Sequence, residues 1–316
     1  MRQPRYAYAS AAVRARAARL LSAEEAAWLW TADREAVIRA LQHKGWRTDG
    51  PAEEMAVARR QEAWAFVTSI APDAKALRFL LAEEEFLNLF VCTMAQMSGG
   101  DQAPVWALPC ITPPSVLRNA AAEKDEQALP QYLQKSAKAA WQKPQPGPQL
   151  MRRLQREKRA AMLTLAEESG SPQLSTLARA MVQADEDKAL FFGAVYGQDK
   201  EEILARLGPG GDNERVIEAA VRGRRALCAH WQQDGEKARA AETMDPNAFE
   251  AWCDGQVLKT AETLAQDPFG PGALAAYWLK TKAETQEVCL RLLEDGRTPL
   301  QERGRLQYAY RSHHRR

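Results

Sequence analysis

The side chains able to make or break bonds are few. The chain has four histidines: His43, His230, His313 and His314. No HExxH or HxxE pair exists, and the last two sit in an arginine-rich tail, so no metal site is expected. Five cysteines (Cys92, Cys110, Cys228, Cys253 and Cys289) are widely spaced among mostly apolar neighbours. They read as reduced core residues of a cytosolic protein, because a metal or disulfide framework wants CxxC or Cys/His pairing. The glycine cluster at 208–211 lacks the Lys-Ser/Thr that completes a phosphate loop, and it follows a helical pattern rather than a strand. No GxSxG elbow occurs. The acidic runs Glu83-Glu84-Glu85 and Asp185-Glu186-Asp187 are expected at helix starts, where they complement the macrodipole. Nine scattered tryptophans read as packing anchors, with no Arg-interleaved ladder for single strands. No catalytic, cofactor-binding or metal-ligating residue is therefore expected, which leaves a binding or structural role.

The elements that must position these residues are helices. The 316 residues include 57 Ala and 32 Leu against 5 Ile and 13 Val, a balance that favours helix over sheet. At 46% hydrophobic and 27% charged, the chain can bury a core. Ser22 and Glu25 have the spacing of a capping box, as do Thr298 and Gln301. Gly50-Pro51, Pro72-Asp73, Asp245-Pro246 and Thr298-Pro299 read as helix starts. Punctuation at 98–114, 144–148, 208–211 and 270–272 marks turns or linkers. The fold class is all-α.

A period of about 100 residues runs through the chain, and such self-similarity marks repeated architecture. Glu85, Asp187 and Glu284 each lead a mostly apolar helical run, followed by Gly99, Gly197 and Gly296 respectively.

No uncharged window is long and apolar enough to span a membrane, and the N-terminus lacks a secretory h-region. The net charge is only +2, which argues against nucleic acid as a partner. It hides an asymmetry: residues 1–19 carry five Arg and no acid, and residues 297–316 carry six Arg and one Glu. These ends are either solvated basic helices or an electrostatic docking surface. On the second reading Arg14, Arg16, Arg19, Arg303 and Arg305 are the candidate partner-docking residues.

Several stretches resemble the C/d family of rotor subunits, found in V-type ATP synthases and in the eukaryotic V-type proton pumps. The opening from Tyr6 and Tyr8 through Arg14, Arg16 and Arg19 to Leu20-Leu21-Ser22 resembles the family's first helix. Glu85-Phe86-Leu87-Asn88-Leu89 is similar to the acid-x-x-Asn-Leu helix of its first domain, and Asp187-Lys188-Ala189-Leu190-Phe191 to the corresponding helix of the second. Gly270 to Glu284, Glu287 to Arg297 and Pro299 to Arg303 follow the closing helix and basic tail. One departure is Glu287-Val288, where the family has Asn before a hydrophobic residue.

The resemblance implies three similar helical domains arranged as a funnel, with boundaries at 1–105, 106–208 and 209–316 and with termini that can pack together. It implies a non-catalytic central-rotor subunit that passes torque between the central-shaft subunits and the membrane rotor ring. Its expected place is cytoplasmic, attached peripherally to the membrane through the ring, with no nucleic acid and no small-molecule ligand. The alternative is a stand-alone all-helical scaffold binding a soluble protein partner.

Overall fold

A computed structural model describes residues 5–99, 105–143, 145–208 and 214–294. All regular elements among them are helical, with no strand. In chain order the α-helices are α1 (Ala7–Ala17), α2 (Ala23–Leu29), α3 (Arg34–His43), α4 (Ala52–Ile70), α5 (Ala82–Met97), α6 (Pro114–Glu123), α7 (Gln131–Gln142) and α8 (Gly147–Glu168). Then follow α9 (Pro172–Tyr196), α10 (Lys200–Leu207), α11 (Glu214–Val221), α12 (Arg224–His230), α13 (Gly235–Thr243), α14 (Pro246–Leu264) and α15 (Gly272–Glu294). No described helix is long and apolar enough to cross a membrane.

Local chemistry sets many of the boundaries. The Ser22 hydroxyl accepts from the Glu25 amide at 3.1 Å, and the Glu25 carboxylate accepts from the Ser22 amide at 2.7 Å, which completes the expected capping box. Asp245 Oδ1 accepts from the Ala248 amide at 2.8 Å, just ahead of Pro246 at the first position of α14. The start expected at Pro72-Asp73 is subtler. Asp73 Oδ1 accepts from the Lys75 and Ala76 amides, and a tighter 3-10 helix, Ala74–Leu81, precedes α5. Gly197 ends α9 in the left-handed conformation at φ 65°. Gly272 opens α15 where a Cβ would sit 2.4 Å from the Leu264 carbonyl oxygen, so only glycine fits the turn after α14. The second capping box, at Thr298 and Gln301, lies outside the described residues, as does Pro299.

The chain divides into two compact units, the described parts of Met1–Leu77 with Ala261–Arg316, and Arg78–Thr260. The first unit joins both chain ends. There α15 packs along α4, with Trp64 and Trp278 edge-to-face at 5.0 Å and Phe66 and Tyr277 at 6.0 Å. Its core gathers Leu29, Val37, Leu41, Trp46 and Met55 from the N-terminal helices with Val288 and Leu292 of α15.

The second unit is continuous through α8, which packs on α5 and on α9. Around α5 and α8, with α6 and α7 between them in sequence, the core gathers Phe86, Leu89, Leu117, Leu133, Trp141 and Leu154. Further along the chain α9 meets α14: Phe191 stacks on Phe249 at 4.1 Å, and Trp231 lies parallel to Phe249 at 6.0 Å. Each buried Leu or Phe of these cores is worth about 1.5–3 kcal/mol of transfer free energy.

Candidate functional site

The three acids that set the sequence period are all buried: Glu85 is 1% exposed, Asp187 5% and Glu284 7%. A buried carboxylate is tolerated only when hydrogen-bonded or paired, and each one is. Glu85 stands in the first turn of α5 and draws in the chain that follows that helix. Its Oε1 accepts from the backbone amides of Ile111 at 2.7 Å and Thr112 at 3.0 Å. Its Oε2 accepts from the Thr112 hydroxyl at 2.6 Å and the Tyr132 hydroxyl at 3.0 Å. One turn on, Asn88 brackets Ala107, accepting from its amide at 2.7 Å and donating to its carbonyl at 2.9 Å. Burial and the Glu85 charge push the Tyr132 phenol pKa up, so it stays a donor. The acid-x-x-Asn spacing is thus a clamp, because residues i and i+3 share one helix face.

Glu284 on α15 repeats the arrangement. Its Oε2 accepts from the Leu21 amide at 2.8 Å, its Oε1 accepts from the Trp46 indole at 3.1 Å, and the Arg59 guanidinium lies 3.7 Å away. Three residues later, Glu287 accepts from the Trp30 indole at 3.0 Å. Where the family resemblance calls for Asn, this chain has a carboxylate that serves as an acceptor only. Burial raises the Glu284 carboxyl pKa, against the Leu21 amide and Arg59, which lower it. Arg291, two turns from Glu284, completes the seam by donating to the Leu29 and Ala32 carbonyls, each at 2.6 Å.

Asp187 departs from the expectation that its acidic run starts a helix: it lies well inside α9. Its Oδ2 is 2.9 Å from Lys237 Nζ, and its Oδ1 accepts from Gln183 at 3.1 Å. Lys237 in turn lies 5.4 Å from the Trp231 ring centroid. Burial raises the Asp187 carboxyl pKa, with the lysine opposing it. The macrodipole therefore does not explain this acid; a partner brought by α13 does. The i+3 position is Leu190, a core residue, so the clamp here has one arm. A cleft of about 220 Å³ lies beside the pair, between Gln183, Asp234, Trp252 and Gln256.

The candidate docking arginines are partly occupied within their own unit. Arg14 is exposed yet donates to the Ala265 carbonyl at 2.8 Å. Arg16 pairs with Glu62 and lies over the Phe66 ring, 4.5 Å from its centroid. Arg19 is exposed; its carbonyl accepts from Arg59 at 3.3 Å, and its side chain has no ion-pair partner among the described residues. Arg303 and Arg305 lie outside the described residues. The structure thus separates the set: Arg14 and Arg16 tie α1 down, and Arg19 is the described member whose side chain stays exposed without an ion-pair partner among the described residues.

All five cysteines are free. Cys92 and Cys253 are buried, and burial pushes the Cys253 thiol up to about 12. Sequence reasoning missed Trp30, Trp46, Arg59, Tyr132 and Lys237, the partners of the three acids and of Glu287. Their separations from those carboxylates, up to 257 residues, leave no local pattern to read. No protein-family model matches this chain, and a search of curated proteins finds no match.

Proposed function

We propose that this chain is a non-catalytic central-rotor subunit of a V-type ATPase or ATP synthase. On this reading three similar helical domains form a funnel, seated on the cytoplasmic face of the membrane rotor ring, whose socket takes the tip of the central shaft. One observation carries the reading. The acids through which the sequence resembles that family, Glu85, Asp187 and Glu284, are all buried and each is bonded or paired to groups outside its own helix. On this reading the domains are 1–105, 106–208 and 209–316, and the compact unit that joins α15 to the N-terminal helices agrees with termini that pack together.

A torque coupler must be stiff, and capped helices joined by buried, fully bonded carboxylates supply stiffness. Charge complementarity supplies orientation and docking rate more than affinity. Arg19, with Arg303 and Arg305, is the residue set assigned to an acidic partner.

The test is a pull-down of purified shaft subunits with the full chain, alongside extraction of the native protein from membranes. The expected result is binding to the shaft and co-extraction with ATPase subunits. Binding to neither returns the chain to the alternative, a helical scaffold for a soluble partner.

A further inference from the structure

Arginines gather where α10 packs on α8. Arg152, Arg156 and Arg159 follow one another at steps of four and three residues along α8, so they share one helix face. Arg206 joins them from the last turn of α10. Burial lowers the Arg206 pKa, and Arg152 and Arg159 lower it further, while Glu202 opposes them. Arg159 Nη1 donates to the Arg206 carbonyl at 2.8 Å. Gly208, at φ 88°, makes room for Arg156, because a Cβ there would sit 2.7 Å from the Arg156 Cδ. Arg159 and Arg206 are 6% and 7% exposed, whereas Arg152 and Arg156 are half-buried.

The acids within reach do not match this charge. Glu202 lies 3.5 Å from Arg152. Asp185 is taken by Lys158 at 2.5 Å and stands 3.9 Å from Arg159. Glu186 is the third acid: burial raises its carboxyl pKa and Arg159 lowers it. Arg153, one position along α8, is matched by its own Glu157 at 3.8 Å. The four clustered arginines and Lys158 thus face three carboxylates, an excess of two positive charges among the described residues. The carbonyl end of α10 adds only about half a negative charge. The Nε donors of Arg152 and Arg159 are buried and meet no hydrogen-bond acceptor among the described residues. A buried charged donor without an acceptor is costly, and an anion would relieve both the donors and the repulsion.

We propose that the arginine cluster between α8 and α10 binds a phosphate group. Charge and residue type select that chemistry. A single carboxylate would offset half of the excess, whereas a phosphate monoester carries about −1.5 to −2 at pH 7. Guanidinium forks match phosphate oxygens in pairs, which makes arginine the residue suited to this anion. Burial selects against an extended polyanion. Arg159 and Arg206 are withdrawn from the surface, so a nucleic-acid backbone would reach Arg152 and Arg156 alone, whereas one compact anion can be met by the partly exposed pair and stabilised by the field of the buried pair. The phosphate could arrive free in solution or on a lipid headgroup. The proposal stands on these residues and is independent of the rotor reading.

The test is isothermal titration calorimetry of the full-length protein with inorganic phosphate at constant ionic strength. Saturable binding to one site, tighter than about 1 mM, is expected. Arg152→Gln with Arg156→Gln should weaken it at least about tenfold, because both lose charge-assisted contacts. Arg156→Lys alone keeps the charge and loses the fork, so it should weaken binding severalfold even if the double variant fails to fold. Arg39→Gln, an exposed change on α3, should leave binding unchanged. A second arm separates the sources: co-sedimentation with phosphatidylcholine vesicles that contain phosphatidic acid, abolished by the same substitutions, assigns the phosphate to a lipid headgroup, and phosphate binding without co-sedimentation assigns it to a free anion. The proposal is overturned if the wild type shows no saturable phosphate binding, or if Arg156→Lys and the folded double variant bind as tightly as the wild type. It is also overturned if acetate at equal concentration displaces phosphate, since a monovalent carboxylate would then serve as well.

Discussion

The clamps at Glu85 and Glu284 use the same grammar in two different units. Each places a buried carboxylate one helical turn ahead of a second polar side chain, and each gathers N–H or O–H donors from outside its helix. They differ in how far the chain travels to meet them. Glu85 and Asn88 hold segments 19 to 47 residues away. Glu284 and Glu287 hold segments 238 to 263 residues away, at the other end of the chain. The first clamp finishes a helix group soon after its helix is made. The second closes a group whose parts are the last and first helices. Closing a long loop costs only slightly more entropy than closing a short one, so one motif serves both, but the second must wait for the whole chain.

The donors differ as well. Glu85 is served by neutral groups alone, whereas Glu284 faces the charged Arg59 besides its neutral donors. Glu85→Ala should be the most damaging change. It strands two backbone amides and two hydroxyls in the core, and we expect a loss of about 3–5 kcal/mol in denaturant unfolding. Proteolysis of this variant should open the stretch 105–113 first. If 105–113 stays protected, Glu85 does not hold the loop.

Glu284→Ala leaves the Trp46 indole and the Leu21 amide without an acceptor, and Arg59 with the Arg19 carbonyl alone, at about 2–4 kcal/mol. Its distinguishing outcome is location: hydrogen exchange should speed up across α2 and α3 while α6 and α7 stay protected. Equal loosening of both regions would erase the distinction between the clamps.

The second arms should rank below the acids. Asn88→Ala removes a two-pronged backbone contact in the core, for about 1–3 kcal/mol. Trp30→Phe removes one hydrogen bond at a half-exposed site, for about 0.5 kcal/mol. Thermal melts of the two variants give the order, and a reversal would mean that Glu287 matters more than Asn88.

The subtlest test is pH. The folded-state pKa of Glu284 is raised by burial, so between its unfolded and folded values the native state holds the extra proton. Stability therefore falls as pH rises through that window, and ionised Glu284 is a net cost above it. Relative to Glu284→Gln, the wild type should gain stability as pH drops from about 7 toward the ordinary Glu pKa of about 4.3, as followed by unfolding free energy at each pH. A flat difference would show that partners fully offset the burial.

Much of the helical layout was legible in residue types. The capping box at Ser22, the start at Pro246 and the stop at Gly197 are local events, decided by atoms close by in the chain. The acids Glu85, Asp187 and Glu284 were visible in the sequence by their spacing, and all three are buried. What they do was not. Asp187 reads in sequence like a helix-start acid, yet it sits deep within α9 because nothing local breaks the helix between Pro172 and Gly197. Arg16 reads as a free docking cation, yet Glu62 and Phe66 take it up.

By itself, then, the amino-acid sequence determined the all-helical class, the places where many helices start and stop, and the spacing of three anchoring acids. Propensity, capping and periodicity act over one or two turns, and residue order specifies them directly. Tertiary structure alone decided that α15 closes against α4, that Trp46 and Leu21 answer Glu284, that Lys237 answers Asp187, and which arginines remain exposed. Those outcomes depend on burial and on donors arriving from up to 263 residues away, and a carboxylate's role is set by what surrounds it once water has been excluded.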